Sequence, residues 1–185
     1  MEDPEYHHHI TLLTGRVQGG KTTQATLLVN RLVNEGFNVM GFLCPGTFSS
    51  GVRSAFSLVN IKTGDRIPMG SVEEPEGWVP YRRFHFNPEA FRLGSTWIRD
   101  CKTKEPDLVV IDEVGPMELE EMGWWEILQF LCNQKELVQL WIVREHIIQE
   151  VAVKWKIPTD NIVRMEALDS ESELSLLKGK LKLRS

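Results

Sequence analysis

The chain has 185 residues, of which 42% are hydrophobic and 25% are charged, a composition typical of a globular domain and not of a disordered chain. Its formal net charge of -5 lacks the basic field that nucleic-acid binding requires, so we expect no nucleic acid as a partner. The apolar runs are too short to span a bilayer, and the acidic start is unlike a signal peptide. The three cysteines lie far apart in the sequence, which is unlike a zinc site and typical of reduced thiols. We therefore expect one domain over 1–185, in the cytoplasm, without a membrane partner.

The first half of the chain alternates short apolar runs with one helical pattern. The run 10–14 predicts a buried strand, and after a glycine-rich stretch the apolar spacing predicts a helix over 21–34. Residues 39–43 predict the next strand. The partly alternating segment 55–61, a turn and a second short run then predict a β-hairpin inserted into the core.

The second half repeats this alternation. Asn87 and Pro88 are typical of an N-cap and a first helical residue, so a helix is predicted over 88–101. The other predicted elements are a loop over 73–80, strands over 82–86, 107–112, 138–143 and 161–163, helices over 124–133 and 145–155, and a C-terminal helix that begins at 170–173. The pattern as a whole predicts an α/β fold with a mostly parallel central sheet and an inserted β-hairpin.

The glycine-rich stretch carries the first chemical motif. Residues 15–22 match G-x-x-x-x-G-K-[ST], the P-loop or Walker A motif, at every fixed position. Glycines let successive backbone N–H groups point at phosphate oxygens, and the following helix presents its positive end to them. Lys21 is expected to reach the β- and γ-phosphates, and the Thr22 hydroxyl to bind Mg²⁺. The candidate nucleotide-binding residues are Gly15, Arg16, Val17, Gln18, Gly19, Gly20, Lys21, Thr22 and Thr23.

The strand predicted at 107–112 carries the second motif. It is an apolar run that ends in Asp112 and Glu113, the pattern of a Walker B strand. Asp112 is expected to hold Mg²⁺ together with Thr22. Glu113 is expected to polarise a water molecule for attack on the γ-phosphate, which makes it a candidate catalytic residue beside Lys21.

Several arginine side chains are candidates for contact with the γ-phosphate. Arg144 follows the strand predicted at 138–143 and would share a sheet edge with Asp112 if the two strands are parallel, so it is a third candidate catalytic residue. The remaining arginines of interest, which are Arg53, Arg82 and Arg83, are interpreted as solvated or sheet-edge charges.

The chain resembles the small nucleoside-triphosphatases of the Thep type over residues 10–155. Four stretches carry the resemblance: Gly20-Lys21-Thr22-Thr23, Gly41-Phe42, residues 86–91, and residues 111–119, which are close to the family's Asp-Glu-Ile-Gly-x-Met-Glu-Leu signature. The resemblance implies a three-layer, RecA-like P-loop fold and hydrolysis of ATP, GTP and related triphosphates. It gives Lys21, Thr22, Asp112 and Glu113 the roles described above. Residues 16–18 and 43–46 depart from the family pattern, which leaves the base preference and the turnover rate open.

The predicted function is an Mg²⁺-dependent nucleoside-triphosphatase that acts on ATP or GTP in a single P-loop domain. One alternative is a small-molecule kinase on the same scaffold, because a carboxylate at Glu113 could also deprotonate an acceptor hydroxyl. Another is a nucleotide-dependent switch or assembly module with little turnover of its own. The sequence leaves the cellular role open. It also leaves the oligomeric state open, and an oligomer is one of the possibilities.

Overall fold

The computed structural model describes residues 6–15, 21–164, 175, 177–179 and 181, and for Lys21 it describes the backbone only. Within this part of the chain, ten strands form one sheet. The strands are β1 (Ile10–Thr14), β2 (Val39–Leu43), β3 (Gly46–Ser49), β4 (Val52–Asn60), β5 (Arg66–Ser71), β6 (Val79–Tyr81), β7 (Phe84–Phe86), β8 (Leu108–Val114), β9 (Gln139–Val143) and β10 (Ile162–Arg164). The α-helices are α1 (Lys21–Asn34), α2 (Pro88–Lys104), α3 (Pro116–Leu119), α4 (Trp125–Cys132) and α5 (Ile148–Lys154).

Five strands form a parallel core in the order β10-β1-β9-β8-β2. Every residue of β1, β2 and β9 is buried, as expected for strands covered on both faces. Because the five strands are parallel, their carboxyl ends meet at one edge, where open α/β sheets bind their ligands. The predicted α/β fold with a mostly parallel central sheet is confirmed.

Helices cover both faces of the sheet, so the molecule has three layers. On one face α1 buries Ala25, Leu28 and Leu32 at the spacing that the sequence predicted. The other face carries a larger core to which α2, α4 and α5 contribute. There Phe42 of β2 packs against Trp124, with ring centroids 4.4 Å apart. No described helix is long and apolar enough to cross a membrane.

Strands β3 to β7 form an antiparallel extension of the sheet, which begins where β4 pairs with β2. The predicted hairpin is present as β4 and β5, and it lies at the centre of this extension. The loop predicted over 73–80 is wrong at its end, because residues 79 and 80 belong to β6. Pro80 lies in an outer strand, where a missing N–H removes no ladder bond, and a proline reads as a strand breaker from sequence alone.

Most predicted element boundaries agree with the structure to within three residues. At the start of α2, the Asn87 side chain accepts a hydrogen bond from the Glu89 N–H at 3.0 Å, and Pro88 is the first helical residue. The helix predicted over 145–155 is divided into a 3-10 turn (Glu145–Ile147) and α5. The helix start predicted at 170–173 lies outside the described residues.

Gly41 lies where β2 approaches β8 most tightly. Its φ is +109°, and a Cβ placed there would lie 2.0 Å from the Val110 carbonyl oxygen of the neighbouring strand. Gly36, which follows α1, has a similar φ of +96° but no atom within 4 Å of such a Cβ. A side chain at Gly41 would therefore meet both backbone strain and a steric clash, whereas a side chain at Gly36 would meet backbone strain alone.

We expect Gly41→Ala to lower the free energy of unfolding by about 3 kcal/mol or more, because strain and a backbone clash act together. Gly36→Ala is the matched control and should cost about 1 kcal/mol, from strain alone. Urea unfolding of both variants measures the difference. Equal losses would show that the β2–β8 approach does not require a glycine.

Candidate active site

Four of the residues predicted to act on the nucleotide lie at the carboxyl edge of the parallel core. Gly15 follows β1, Asp112 and Glu113 lie near the end of β8, and Arg144 follows β9. The register pairs Asp112 with Ile142, so β8 and β9 end side by side. Cys44, which follows β2, completes the same edge on the other side of β8. The parallel arrangement on which the placement of Arg144 depended is therefore present.

The P-loop is described in part. Helix α1 begins at Lys21, with Thr22 half-buried and Thr23 exposed. The predicted nucleotide-binding residues at 16–20 lie outside the described residues, as does the Lys21 side chain. The Thr22 side chain lies close enough to the Asp112 carboxyl to lower its pKa. The two predicted metal ligands are thus neighbours.

Asp112 is fully buried, and this burial governs its chemistry. Desolvation, with the charge of Glu113 as the next cause, raises the pKa of Asp112 to about 6. The opposing interactions include the Cys44 N–H, which donates a hydrogen bond to Asp112 Oδ2 at 2.9 Å. Asp112 Oδ1 is buried and has no hydrogen-bond partner of normal geometry among the described residues. A buried oxygen without a partner is costly unless a ligand meets it.

The donor chemistry around Asp112 fits Mg²⁺. The free carboxylate oxygen of Asp112 and the hydroxyl of Thr22 are hard oxygen donors, which this cation prefers. No group of three His, Cys, Asp or Glu side chains capable of holding a metal occurs in the described part of the chain. That small donor set agrees with Mg²⁺, which is usually bound through one or two protein ligands, with water and substrate phosphates supplying the others.

Glu113 and Arg144, the two predicted catalytic residues of the strand ends, form an ion pair. Arg144 Nε donates a hydrogen bond to Glu113 Oε1. The Glu113 side chain is 15% exposed and the Arg144 side chain 40%, so the pair opens to solvent on its arginine side. The peptide bond between Asp112 and Glu113 is cis. One oxygen of Glu113 is therefore oriented by a guanidinium, next to the buried carboxylate of Asp112.

Glu118 is a buried carboxylate that the sequence marks only as part of the stretch that resembles the family signature. It is 3% exposed, and its two oxygens accept hydrogen bonds from the Gly115 N–H at 2.7 Å and the Trp124 N–H at 3.0 Å. It thereby ties the turn after β8 to the start of α4. Burial raises the pKa of Glu118 to about 7, against these backbone hydrogen bonds. Its place within a run of site residues is the sequence signal that could have identified it.

Arg53 is not the solvated charge that the sequence indicated. It is half-buried in β4, and its Nη2 donates a hydrogen bond to the Cys44 carbonyl oxygen at 2.6 Å. Its guanidinium carbon lies 4.7 Å from the centre of the Phe56 ring. Arg82 and Arg83 do have exposed side chains, as expected. No spacing rule marks Arg53, because the carbonyl group that it contacts lies in another segment of the chain, between β2 and β3.

Comparison with known proteins decides the family. A family model described as NTPase matches residues 10–164. The nucleoside-triphosphatase THEP1 of Methanopyrus kandleri is 30% identical over 168 residues, which are 90% of this chain and 91% of that protein. The chain belongs to the NTPase family. The prediction of a nucleoside-triphosphatase is thereby confirmed at the level of the family.

Two solved structures share the fold of this NTPase. The crystal structure of THEP1 from Aquifex aeolicus matches with a TM-score of 0.70 at 17% identity and covers 94% of this chain and 99% of that one. The solution structure of a human cancer-related nucleoside triphosphatase matches with a TM-score of 0.62 at 22% identity, covering 93% and 95%. At these identities the likeness concerns the fold, and it agrees with the predicted P-loop architecture.

The buried carboxyl of Glu118 should make the stability of the protein pH-dependent. The folded state holds this proton up to about pH 7, whereas the unfolded chain releases it near 4.5, so the folded state binds more protons between these values. Stability from this group is full below about pH 4.5 and is lost as the pH rises through about 7. Glu118→Gln has no such proton, and the wild type should lose up to about 3 kcal/mol more than this variant between those limits.

Denaturant unfolding at pH values on either side of this window measures the effect. Glu120→Gln, which changes an exposed carboxylate two residues away, is the control and should keep the wild-type pH dependence. An unchanged pH dependence in Glu118→Gln would contradict the prediction.

Proposed function

We propose that this NTPase hydrolyses nucleoside triphosphates, ATP and GTP among them, to nucleoside diphosphate and phosphate, with Mg²⁺ as cofactor. The observation that carries the proposal is the pairing of two unlike carboxylates at one sheet edge. Asp112 is buried with a free oxygen, and Glu113 is oriented by Arg144. Asp112 lies beside Thr22, in the helix that follows the P-loop motif.

Each residue has a separate task in this proposal. The backbone N–H groups of residues 15–20 and the Lys21 ammonium bind the β- and γ-phosphates, while Asp112 and Thr22 hold the cation. Mg²⁺, when bound, neutralises charge that develops on the phosphate oxygens in the transition state.

Glu113 is proposed to act on the attacking water. A water molecule hydrogen-bonded to Glu113 attacks the γ-phosphorus, the bond from that phosphorus to the bridging oxygen breaks, and the water proton passes to the carboxylate. Arg144 holds Glu113 through Oε1, which leaves Oε2 for the water. Fixing the base in this way supplies orientation that a freely rotating carboxylate would lack.

The location of the protein is a further part of the proposal. The three cysteines of the chain are free thiols and all are buried, which supports the cytoplasm as the location. The absence of a nucleic-acid partner and the state of association stay predictions, because they depend on surfaces outside the site.

Phosphate release and nucleotide binding by wild type and variants test the function. Glu113→Gln should bind Mg-ATP and Mg-GTP but release phosphate at least about 100-fold more slowly, because the amide cannot take a proton. Lys21→Ala should lose binding, and a chelator should stop phosphate release by the wild type. Glu120→Gln serves as the control with an exposed carboxylate.

A wild type that binds Mg-nucleotide without releasing phosphate would contradict hydrolysis as the intrinsic activity. Addition of nucleosides or cell metabolites then separates the two alternatives. Transfer of the phosphate to an added acceptor would indicate a kinase, and continued inactivity would indicate a nucleotide-dependent switch.

Arg144→Met should separate orientation of the base from nucleotide binding. The variant keeps much of the side-chain volume but removes the donor to Glu113, so kcat should fall about 10- to 100-fold while nucleotide affinity changes little. Steady-state kinetics and binding titrations measure the two effects. Wild-type kcat in this variant would show that the ion pair is a surface contact without a catalytic role.

A further inference from the structure

A chain of contacts connects the antiparallel extension to the metal-binding carboxylate. Arg53, in β4, donates a hydrogen bond from Nη2 to the Cys44 carbonyl oxygen. The N–H of the same Cys44 donates to Asp112 Oδ2. Both backbone groups of one residue are thus engaged, one by the extension and one by the Walker B aspartate. The second oxygen, Asp112 Oδ1, stays without a partner.

The local backbone is shaped to bring Arg53 to this position. The pairing of β3 with β4 shifts register between Thr47 and Phe48, opposite Arg53, and such bulges redirect side chains near active sites. Gly46 leaves room for the redirected side chain, since a Cβ there would lie 2.6 Å from Arg53 Nε. The Phe56 ring supports the guanidinium from another direction. Three features of the extension therefore favour one hydrogen bond, from Arg53 to the residue after β2.

We propose that Arg53 is a positioning residue for Mg²⁺ binding: it holds Cys44, and through Cys44 it fixes the Asp112 carboxylate so that Oδ1 faces the cation. The inference rests on the proposed function, in which Asp112 is a metal ligand. It makes the antiparallel extension part of the metal-holding apparatus, although the extension supplies no ligand of its own. Replacing a residue that orients a metal ligand typically lowers metal affinity about 10- to 100-fold.

The physical reason lies in the burial of Asp112. A buried carboxylate can rotate about its Cβ–Cγ bond unless one oxygen is held, and a partial rotation would turn the free oxygen away from the cation. Cys44 is in a connecting segment between β2 and β3, so its peptide groups need an anchor. A charged donor gives a stronger hydrogen bond than a neutral one, which suits Arg53 to that task.

The Mg²⁺ dependence of nucleotide binding tests the proposal without using turnover. A non-hydrolysable ATP analogue with an imido group between the β- and γ-phosphates is titrated at a series of free Mg²⁺ concentrations. Wild type is compared with Arg53→Met, Arg53→Lys and Arg66→Met. Arg66 is the matched control, because it lies in the neighbouring strand β5 with an exposed side chain. Thermal unfolding of each variant verifies that it is folded.

In Arg53→Met the Mg²⁺ concentration for half-maximal binding should rise about tenfold, while binding of the analogue without Mg²⁺ stays as in wild type. Arg53→Lys should restore part of the affinity for Mg²⁺, since an ammonium can still donate to the Cys44 carbonyl. Arg66→Met should behave as wild type. If Arg53→Met does not fold, Arg53→Lys alone decides, and its half-maximal Mg²⁺ concentration must then exceed that of Arg66→Met.

Two results would overturn the proposal. One is an unchanged Mg²⁺ dependence in a folded Arg53 variant. The other is an equal loss of analogue affinity with and without Mg²⁺, which would make Arg53 a direct phosphate contact. A wild type whose binding ignores Mg²⁺ would contradict the proposed function instead, so the two failures can be told apart.

Discussion

The buried carboxylate of Asp112 is the constraint on which the rest of the site depends. It stands at the end of a central strand with no exposure to solvent, and burial of an anion is costly unless hydrogen bonds or charges compensate it. Three neighbouring groups partly offset this cost, because they favour the ionised form of Asp112. They are the Cys44 N–H, the Thr22 side chain and the charge of Arg53. One oxygen, Asp112 Oδ1, is left without a hydrogen-bond partner, and in the proposed function this oxygen binds the cation.

Glu113 is a second carboxylate next to Asp112, and Arg144 supplies the positive charge that pairs with it. The charge of Glu113 opposes ionisation of Asp112, since like charges in adjacent positions repel. The ion pair with Arg144 neutralises Glu113 locally and orients it at the same time. Because Arg144 is supplied by β9 and Glu113 by β8, the arrangement exists only where parallel strands end side by side. Glu118 then holds the turn that follows, through two backbone N–H groups.

Strand β2 connects the parallel core to the antiparallel extension, and it does so at close range. It pairs with β8 in parallel on one side and with β4 in antiparallel on the other. Gly41 permits the approach to Val110, and Cys44 at its end carries the contacts to Asp112 and Arg53. An extension that looks separate from the catalytic core in the sequence is therefore tied to the core at the site itself.

The sequence by itself determined the local features: most strand and helix boundaries from apolar periodicity, the Asn87-Pro88 helix start, the P-loop motif, and the position of Asp112 and Glu113 near the end of a buried strand. Each depends on residues close together in the chain, where spacing is sufficient. Tertiary structure alone decided that the predicted hairpin is one part of a five-stranded extension, that Pro80 is tolerated in an outer strand, and that Arg53 turns inward. These depend on which strands become neighbours and on a register shift between them. Sheet contacts join residues far apart in sequence, and periodicity carries no information about which strands will meet.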